Sequence, residues 1–289
     1  MLTTLRYALA SMRGQILGWG LGFAALGLIL VPFYDVFMEQ QADFMQMIES
    51  YPPEFLAFFG GSAAKLMTPE GYLGMYGFSL LPIIVGIFVV LAGSGLVASD
   101  EEGGRLDLIL AHPVSRSGIF WGRLVAFYTA LSGILALGWL GFCVLLGGSA
   151  LDVSWGQMAL PFLTVLAQGL VFGSLTVLLS MVLPSRRLAA TVAGVVLAAS
   201  YVMTSMASLN ESLAAVAQFL PYDYFQGGDA IQGLNLTWFL GLLAASAVLS
   251  ILAWWRFLRR DIRVAGEGGW RLASIPFRLR RDTEAGQGA

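Results

Sequence analysis

Histidine, cysteine and lysine each occur once, as His112, Cys143 and Lys65, and charged residues make up only 12% of the 289 residues. Each scarcity removes a class of chemistry. A single cysteine excludes an intrachain disulfide and leaves the redox compartment unmarked. Placed in an apolar stretch, Cys143 reads as a small hydrophobe. His112 lies outside the long apolar stretches, so bis-histidine haem ligation within a membrane bundle is excluded, and the chain lacks the base or ligand sets of an intramembrane protease. No Gly-Lys-Ser or Gly-Lys-Thr phosphate loop occurs, so the chain cannot bind ATP in the P-loop manner. The apolar stretches hold almost no ionisable group: Asp35 lies near the end of the first, and Gln168 with scattered Ser and Thr are the deeper polar residues. A proton or sodium relay needs buried titratable groups and has none to use.

What the chain has instead is apolar length. Hydrophobic residues reach 57% and mean hydropathy is +0.76, the range of an integral membrane protein. Spanning the hydrocarbon takes roughly 20 mostly apolar helical residues. Six stretches qualify: 15–37, 72–98, 118–147, 158–183, 188–209 and 237–258. Of the sixteen Lys and Arg residues, all but Lys65 fall in segments that alternate stretches place on one side. The segments on the other side carry Glu39, Asp43, Glu49, Glu54, Glu70, Asp152, Glu211, Asp223 and Asp229. By the positive-inside rule the Arg-bearing segments, and with them both termini, are expected in the cytoplasm. The first stretch is too long for a cleaved signal peptide and reads as a retained anchor.

The expected architecture is an all-α integral membrane protein with one six-span domain over 1–260 and a basic cytoplasmic tail over 261–289. Leu2, Leu5, Leu9 and Met12 recur at helical spacing, which predicts a separate interfacial helix over 1–14. Two extracytoplasmic segments are expected at 38–71 and 210–236. In the first, apolar residues on either side of Pro52 and Pro53 predict two short amphipathic helices, and Thr68, Pro69 and Glu70 read as cap, first-turn proline and first-turn acid of the second span. In the second, a short helical run from Glu211 to Leu220 precedes the breakers Pro221, Gly227, Gly228 and Gly233, which predicts a chain that dips back toward the membrane. Gly18 with Gly22, and Gly169 with Gly173, have the spacing that lets helices approach closely. No internal repeat is visible.

The segment over 99–117, between the second and third stretches, reads Ser99-Asp-Glu-Glu-Gly-Gly-Arg-Leu-Asp-Leu-Ile-Leu-Ala-His-Pro-Val-Ser-Arg116. Ser99 and Glu102 have the spacing of a capping box, and Asp100 and Glu101 favour a helix N-terminus. Leu106, Ile109 and Leu110 share one face until Pro113 stops the helix, and Ser115 is placed to cap the next. An exposed apolar face flanked by Glu101, Glu102 and Arg105 fits a helix docking in another protein's groove. It equally fits a helix resting on lipid, and the residues alone leave both open.

The acidic pair, Gly104-Arg-Leu-Asp-Leu-Ile-Leu110 and Pro113-Val-Ser-Arg116, followed by a span, resemble the first cytoplasmic loop of ABC-2 type transporter permeases. The six-span layout extends the resemblance over nearly the whole chain. It implies a half-transporter without catalytic residues or bound cofactor of its own: two copies form the pore, and each docks a cytoplasmic ABC ATPase that binds ATP and Mg. Asp100, Glu101, Glu102, Arg105, Leu106, Ile109, Leu110, Pro113 and Arg116 would then make the coupling element. Phe78, Ile83, Tyr201, Met203, Thr204 and Met206 would line the substrate pathway at the dimer seam. The long segment over 38–71 resembles exporters of polyketide antibiotics and other lipophilic drugs, so the expected activity is export of amphipathic compounds across the plasma membrane. Polysaccharide or lipid cargo, or a membrane anchor that recruits a cytoplasmic partner, stand as alternatives; no nucleic-acid role is indicated.

Overall fold

The computed structural model describes residues 2–40, 42–43, 46–47, 51–52, 68–102, 115–207 and 211–259. Among them every regular element is helical, and six helices are long and apolar enough to cross a membrane. We number the elements α1 (Leu2–Glu39), α2 (Pro69–Gly95), α3 (Ala98–Glu102), α4 (Arg116–Cys143), α5 (Trp155–Val182), α6 (Arg186–Met206), α7 (Glu211–Ala217) and α8 (Leu236–Arg259).

The expected interfacial helix over 1–14 is not a separate element. Gly14 is the one weak helix former between it and the first span, and a single glycine costs only about 1 kcal/mol, too little to end a helix that packs along its length. The result is one continuous helix of 38 residues, about 57 Å long at 1.5 Å per residue against a hydrocarbon core of roughly 30 Å. The short amphipathic helices expected on either side of Pro52 and Pro53, and the tail over 261–289, lie outside the described residues.

Helix starts follow local chemistry. Thr68 accepts from the Gly71 N–H at 3.2 Å with Pro69 in the first turn; Ser115 accepts from Gly118 at 3.1 Å; Asn235 accepts from Thr237 at 3.1 Å and Trp238 at 3.3 Å. Ser154 and Gln157 form a reciprocal capping box at the start of α5. At its far end Pro184 holds Leu183 extended and stops the helix.

Pairs of touching residues fix the direction of each helix. Gly20 meets Leu137 and Gly27 meets Phe142, so α1 and α4 run parallel. Val85 meets Gly169 and Val89 meets Gly173, so α2 and α5 run parallel, whereas Phe127 against Gly173 and Phe162 against Gly138 set α4 antiparallel to α5. Leu197 over Gly86 and Arg186 over Gly95 set α6 antiparallel to α2, and Ser246 on Leu170 O with Ser250 on Ser174 sets α8 parallel to α5. The starts of α1, α4 and α6 and the ends of α2, α5 and α8 therefore share one end of the bundle. Every Arg of the described residues lies there, and Glu39, Glu70, Asp152, Asp223 and Asp229 lie at the other.

The central helix is α5, 67% of whose apolar window is buried, against 22% for both α1 and α8. It touches α2, α4, α6 and α8. Around it an aromatic core brings Phe78 edge-on to Phe162 and stacked on Phe142. In a membrane, helices gain by close van der Waals approach and shared hydrogen bonds rather than by water exclusion. Both occur here. A Cβ on Gly27 would stand 2.6 Å from the Phe142 nitrogen, and one on Gly141 2.5 Å from the Ala24 oxygen, so α1 and α4 touch backbone to backbone. On the opposite side of the core, the Tyr128 hydroxyl bridges Ser174 at 2.6 Å and Ser250 at 2.7 Å, and Ser174 contacts Ser246 at 2.8 Å, tying α4, α5 and α8 together.

The small-residue spacings named from the sequence divide accordingly. Gly169 and Gly173 do admit neighbours, the side chains of Leu131, Val85 and Phe127. Gly18 and Gly22 have nothing within 4 Å of a built Cβ and make no close approach within the subunit. The seam uses Gly20, Ala24 and Gly27 instead, two residues round the helix.

Candidate functional site

At the Arg-bearing end, α2 finishes, the short helix α3 follows, and α4 begins. Arg123, about two turns into α4, is 8% exposed. Its guanidinium pairs with the Asp100 carboxylate at 2.5 Å and donates to the Leu96 carbonyl at 2.9 Å. That carbonyl belongs to the turn just past the end of α2, where helical acceptors lack intrahelical donors. One buried side chain thus holds the end of α2, α3 and the start of α4. Nearby, Arg186 at the start of α6 lies over Gly95, where a Cβ would come within 3.0 Å of its guanidinium carbon.

The expected coupling residues are partly placed by this arrangement. Asp100 is in α3 and bound to Arg123, and Arg116 is the first residue of α4. Glu101 and Glu102 complete the backbone of α3. Arg105, Leu106, Ile109, Leu110 and Pro113 lie outside the described residues. The Ser99–Glu102 capping box is corrected: α3 already includes Ala98, so Ser99 is within the helix and its hydroxyl donates back to Gly95 O at 2.6 Å. In the sequence Arg123 is simply a cation near the start of the third apolar stretch; its burial between Asp100 and Leu96 O is what gives it a role.

The expected pathway residues do not share one surface. Tyr201, Met203, Thr204 and Met206 follow one another in the last two turns of α6 and are all partly exposed. Ile83 is partly exposed on α2, while Phe78 is fully enclosed by Phe142 and Phe162 of its own subunit and faces no surface at all. Its large ring stabilises the interior where α2 departs from regular helix. The Thr204 hydroxyl is shielded from solvent without a hydrogen-bond partner, an arrangement that costs on the order of 1–3 kcal/mol.

A polar junction near the middle of the bundle was not anticipated. Beyond α7, tight turns at Pro221–Tyr224 and Gly227–Ile231 carry the chain back between the helices, and Tyr222 is 6% exposed. Gln168, halfway along α5, donates its amide to Pro221 O at 3.1 Å and accepts from the Tyr222 N–H at 3.3 Å. Ser200 of α6 accepts from the same N–H at 3.3 Å, and the Tyr222 hydroxyl donates to Ser79 O of the second span at 3.1 Å. Burial pushes the Tyr222 phenol above its ordinary value, and the neighbouring Tyr201 acts in the same direction, so the hydroxyl remains a donor. Gln168 stood out in the sequence as a lone deep polar group, but its partners come from a segment more than fifty residues away that no local pattern connects to it.

Comparison with known proteins decides the family, because the model of the ABC-2 family transporter protein matches residues 17–262. The chain belongs to the ABC-2 transporter family. The match takes in all six membrane-length helices except the first fifteen residues of α1. Among similar proteins, this ABC-2 chain is 24% identical over 214 residues to the uncharacterized membrane protein YdbK of Bacillus subtilis (strain 168), covering 68% of the chain and 86% of the relative. It is 24% identical over 204 residues to the uncharacterized protein YhcI of the same organism, covering 62% of the chain and 65% of the relative. Its biochemical class is a membrane transport component, and the family normally works with an ABC ATPase.

Proposed function

We propose that this chain is the permease half of an ATP-driven exporter of amphipathic or lipophilic compounds, with both termini in the cytoplasm. The observation that carries the reading is the Asp100–Arg123–Leu96 cluster: it joins the segment over 99–117 to two spans through a buried ion pair, so a push on that segment reaches α2 and α4 directly. A segment of that kind suits a docked ATPase better than passive contact with lipid. ATP and Mg belong to that partner, present in two copies, and the permease contributes the path.

A second copy of the chain would cover α6, the least apolar of the six spans and yet one that lies largely at the surface of the subunit. A relatively polar helix on the outside of a subunit is better satisfied by protein than by lipid. Tyr201, Met203, Thr204 and Met206 would then lie toward the seam. Cargo is selected by shape and area, since the described spans offer few directional groups.

The test is purification of the chain with the ATPase that accompanies it, followed by hydrolysis measured across a panel of drug-like cations, antibiotics, lipids and oligosaccharides. Stimulation by lipophilic compounds supports the reading. Stimulation by oligosaccharides alone would redirect the cargo assignment, and failure of any ATPase to co-purify would overturn the exporter.

A further inference from the structure

Near Ser79 the second span gives up regular helical hydrogen bonding, and a distant tyrosine takes its place. Residues Leu73–Phe78 are π-helical, and α-helix resumes only at Leu81. Pro82 has no N–H to offer the Phe78 carbonyl. The Ile83 N–H, which a continuous α-helix would aim at Ser79 O, turns to Leu80 O at 3.1 Å. Ser79 O is met instead by the Tyr222 hydroxyl at 3.1 Å.

Two further contacts hold the same turn against α2. Gly228 lies on Gly74 so closely that a Cβ on Gly228 would stand 2.6 Å from the Gly74 nitrogen. Gln232 donates to the Glu70 carboxylate. Irregular backbone from two elements therefore meets inside the bundle, an arrangement tolerated at membrane depth where protein or a cavity surrounds it. Single π-helical turns inside helices are frequent at functional positions.

We propose that the π-helical stretch of α2 and the turn Pro221–Ile231 move as a single gate at the acid-rich end, with Tyr222 as its latch. The proposal rests on the transport reading above. Both states satisfy the Ser79 carbonyl: with the latch closed Tyr222 serves it, and with it open the Ile83 N–H returns to it as the π turn tightens into α-helix. Such exchange of one donor for another gives two discrete arrangements rather than a continuum. The pieces that part are side-chain hydrogen bonds and a glycine-on-glycine contact, so no span needs to unwind.

Amide hydrogen exchange on the full chain, reconstituted in lipid nanodiscs with its co-purified ATPase, tests this. Tyr222→Phe removes the latching hydroxyl alone and is expected to speed exchange about tenfold in both 73–83 and 221–231, leaving α5 at its parental rate. Addition of ATP and Mg to the parent is expected to speed the same two segments together. In a Cys143→Ala background, an oxidised disulfide between Glu70→Cys and Gln232→Cys is expected to abolish that ATP response, and reduction to restore it. Exchange that rises in 221–231 while 73–83 stays at the parental rate would overturn the single gate. ATP-dependent exchange elsewhere in the chain with none in these segments would overturn it too, while leaving the transport reading intact. No ATP response anywhere would instead count against the transport reading. The disulfide arm decides the matter even where Tyr222→Phe fails to fold.

Discussion

Removing Asp100 and removing Arg123 should have unequal costs, and removing both should cost less than their sum. The Arg123 side chain is 10% exposed and the Asp100 side chain 21%. Asp100→Leu strands a buried guanidinium, which retains only its hydrogen bond to Leu96 O, and breaking a buried pair in this way costs about 3–5 kcal/mol. Arg123→Met takes one partner from the more exposed Asp100 carboxylate and orphans one carbonyl, for about 2–3 kcal/mol. In Asp100→Leu with Arg123→Met no charge is stranded, so the remaining cost is the lost carbonyl hydrogen bond and imperfect packing, about 1–2 kcal/mol. The singles together cost at least about 5 kcal/mol, so the cycle should show a coupling of about 3 kcal/mol or more, against 0–1 for an exposed surface pair. The midpoint of SDS-induced unfolding in mixed micelles measures each corner, and ATPase co-purification reports whether the double variant, though folded, has lost transmission. A coupling under about 1 kcal/mol would refute the argument that this pair is a buried joint.

Three other outcomes are expected. Gly141→Ala should weaken the α1–α4 seam by at least about 1–3 kcal/mol in the same unfolding assay, because its Cβ would meet Ala24 backbone that has nowhere to go, while Gly18→Ala should be neutral or slightly stabilising. Leu106→Ala with Ile109→Ala should abolish ATPase co-purification while leaving the permease inserted, each anchor contributing about 1 kcal/mol or more. In intact cells, cysteines at Ser50 and Ser212 should react with an impermeant maleimide and cysteines at Ser185 and Ser274 should not; the reverse pattern would invert the proposed topology.

The spans were legible because hydropathy and length report on lipid directly, and Thr68 and Ser115 announced two helix starts through side chains that can cap only locally. The start of the first span was misread, since an amphipathic stretch and an apolar one can be a single helix when only Gly14 separates them. Pairing between helices was harder to read. Gly18 and Gly20 are alike as letters, and only the position of α4 makes one a contact and the other open surface. The same holds at the site: Asp100 and Arg123 were both visible as charges, but their union depends on how α2 ends, and Tyr222 acquires its meaning from a carbonyl, an amide and a hydroxyl on three other helices.

The backbone contact between α1 and α4 restricts which joints of the bundle can slip. Axial sliding of either helix would push Leu137 or Phe142 into the place where Gly141 now admits Ala24, so the two travel together as one stiff pair. Where α2 meets α6, Leu197 covers Gly86 through the far end of a side chain that can change rotamer, and that joint yields without backbone collision. On the proposed coupling, a displacement of α3 passed on through Arg123 would be taken up where α6 meets α2, on the side of the bundle away from α1.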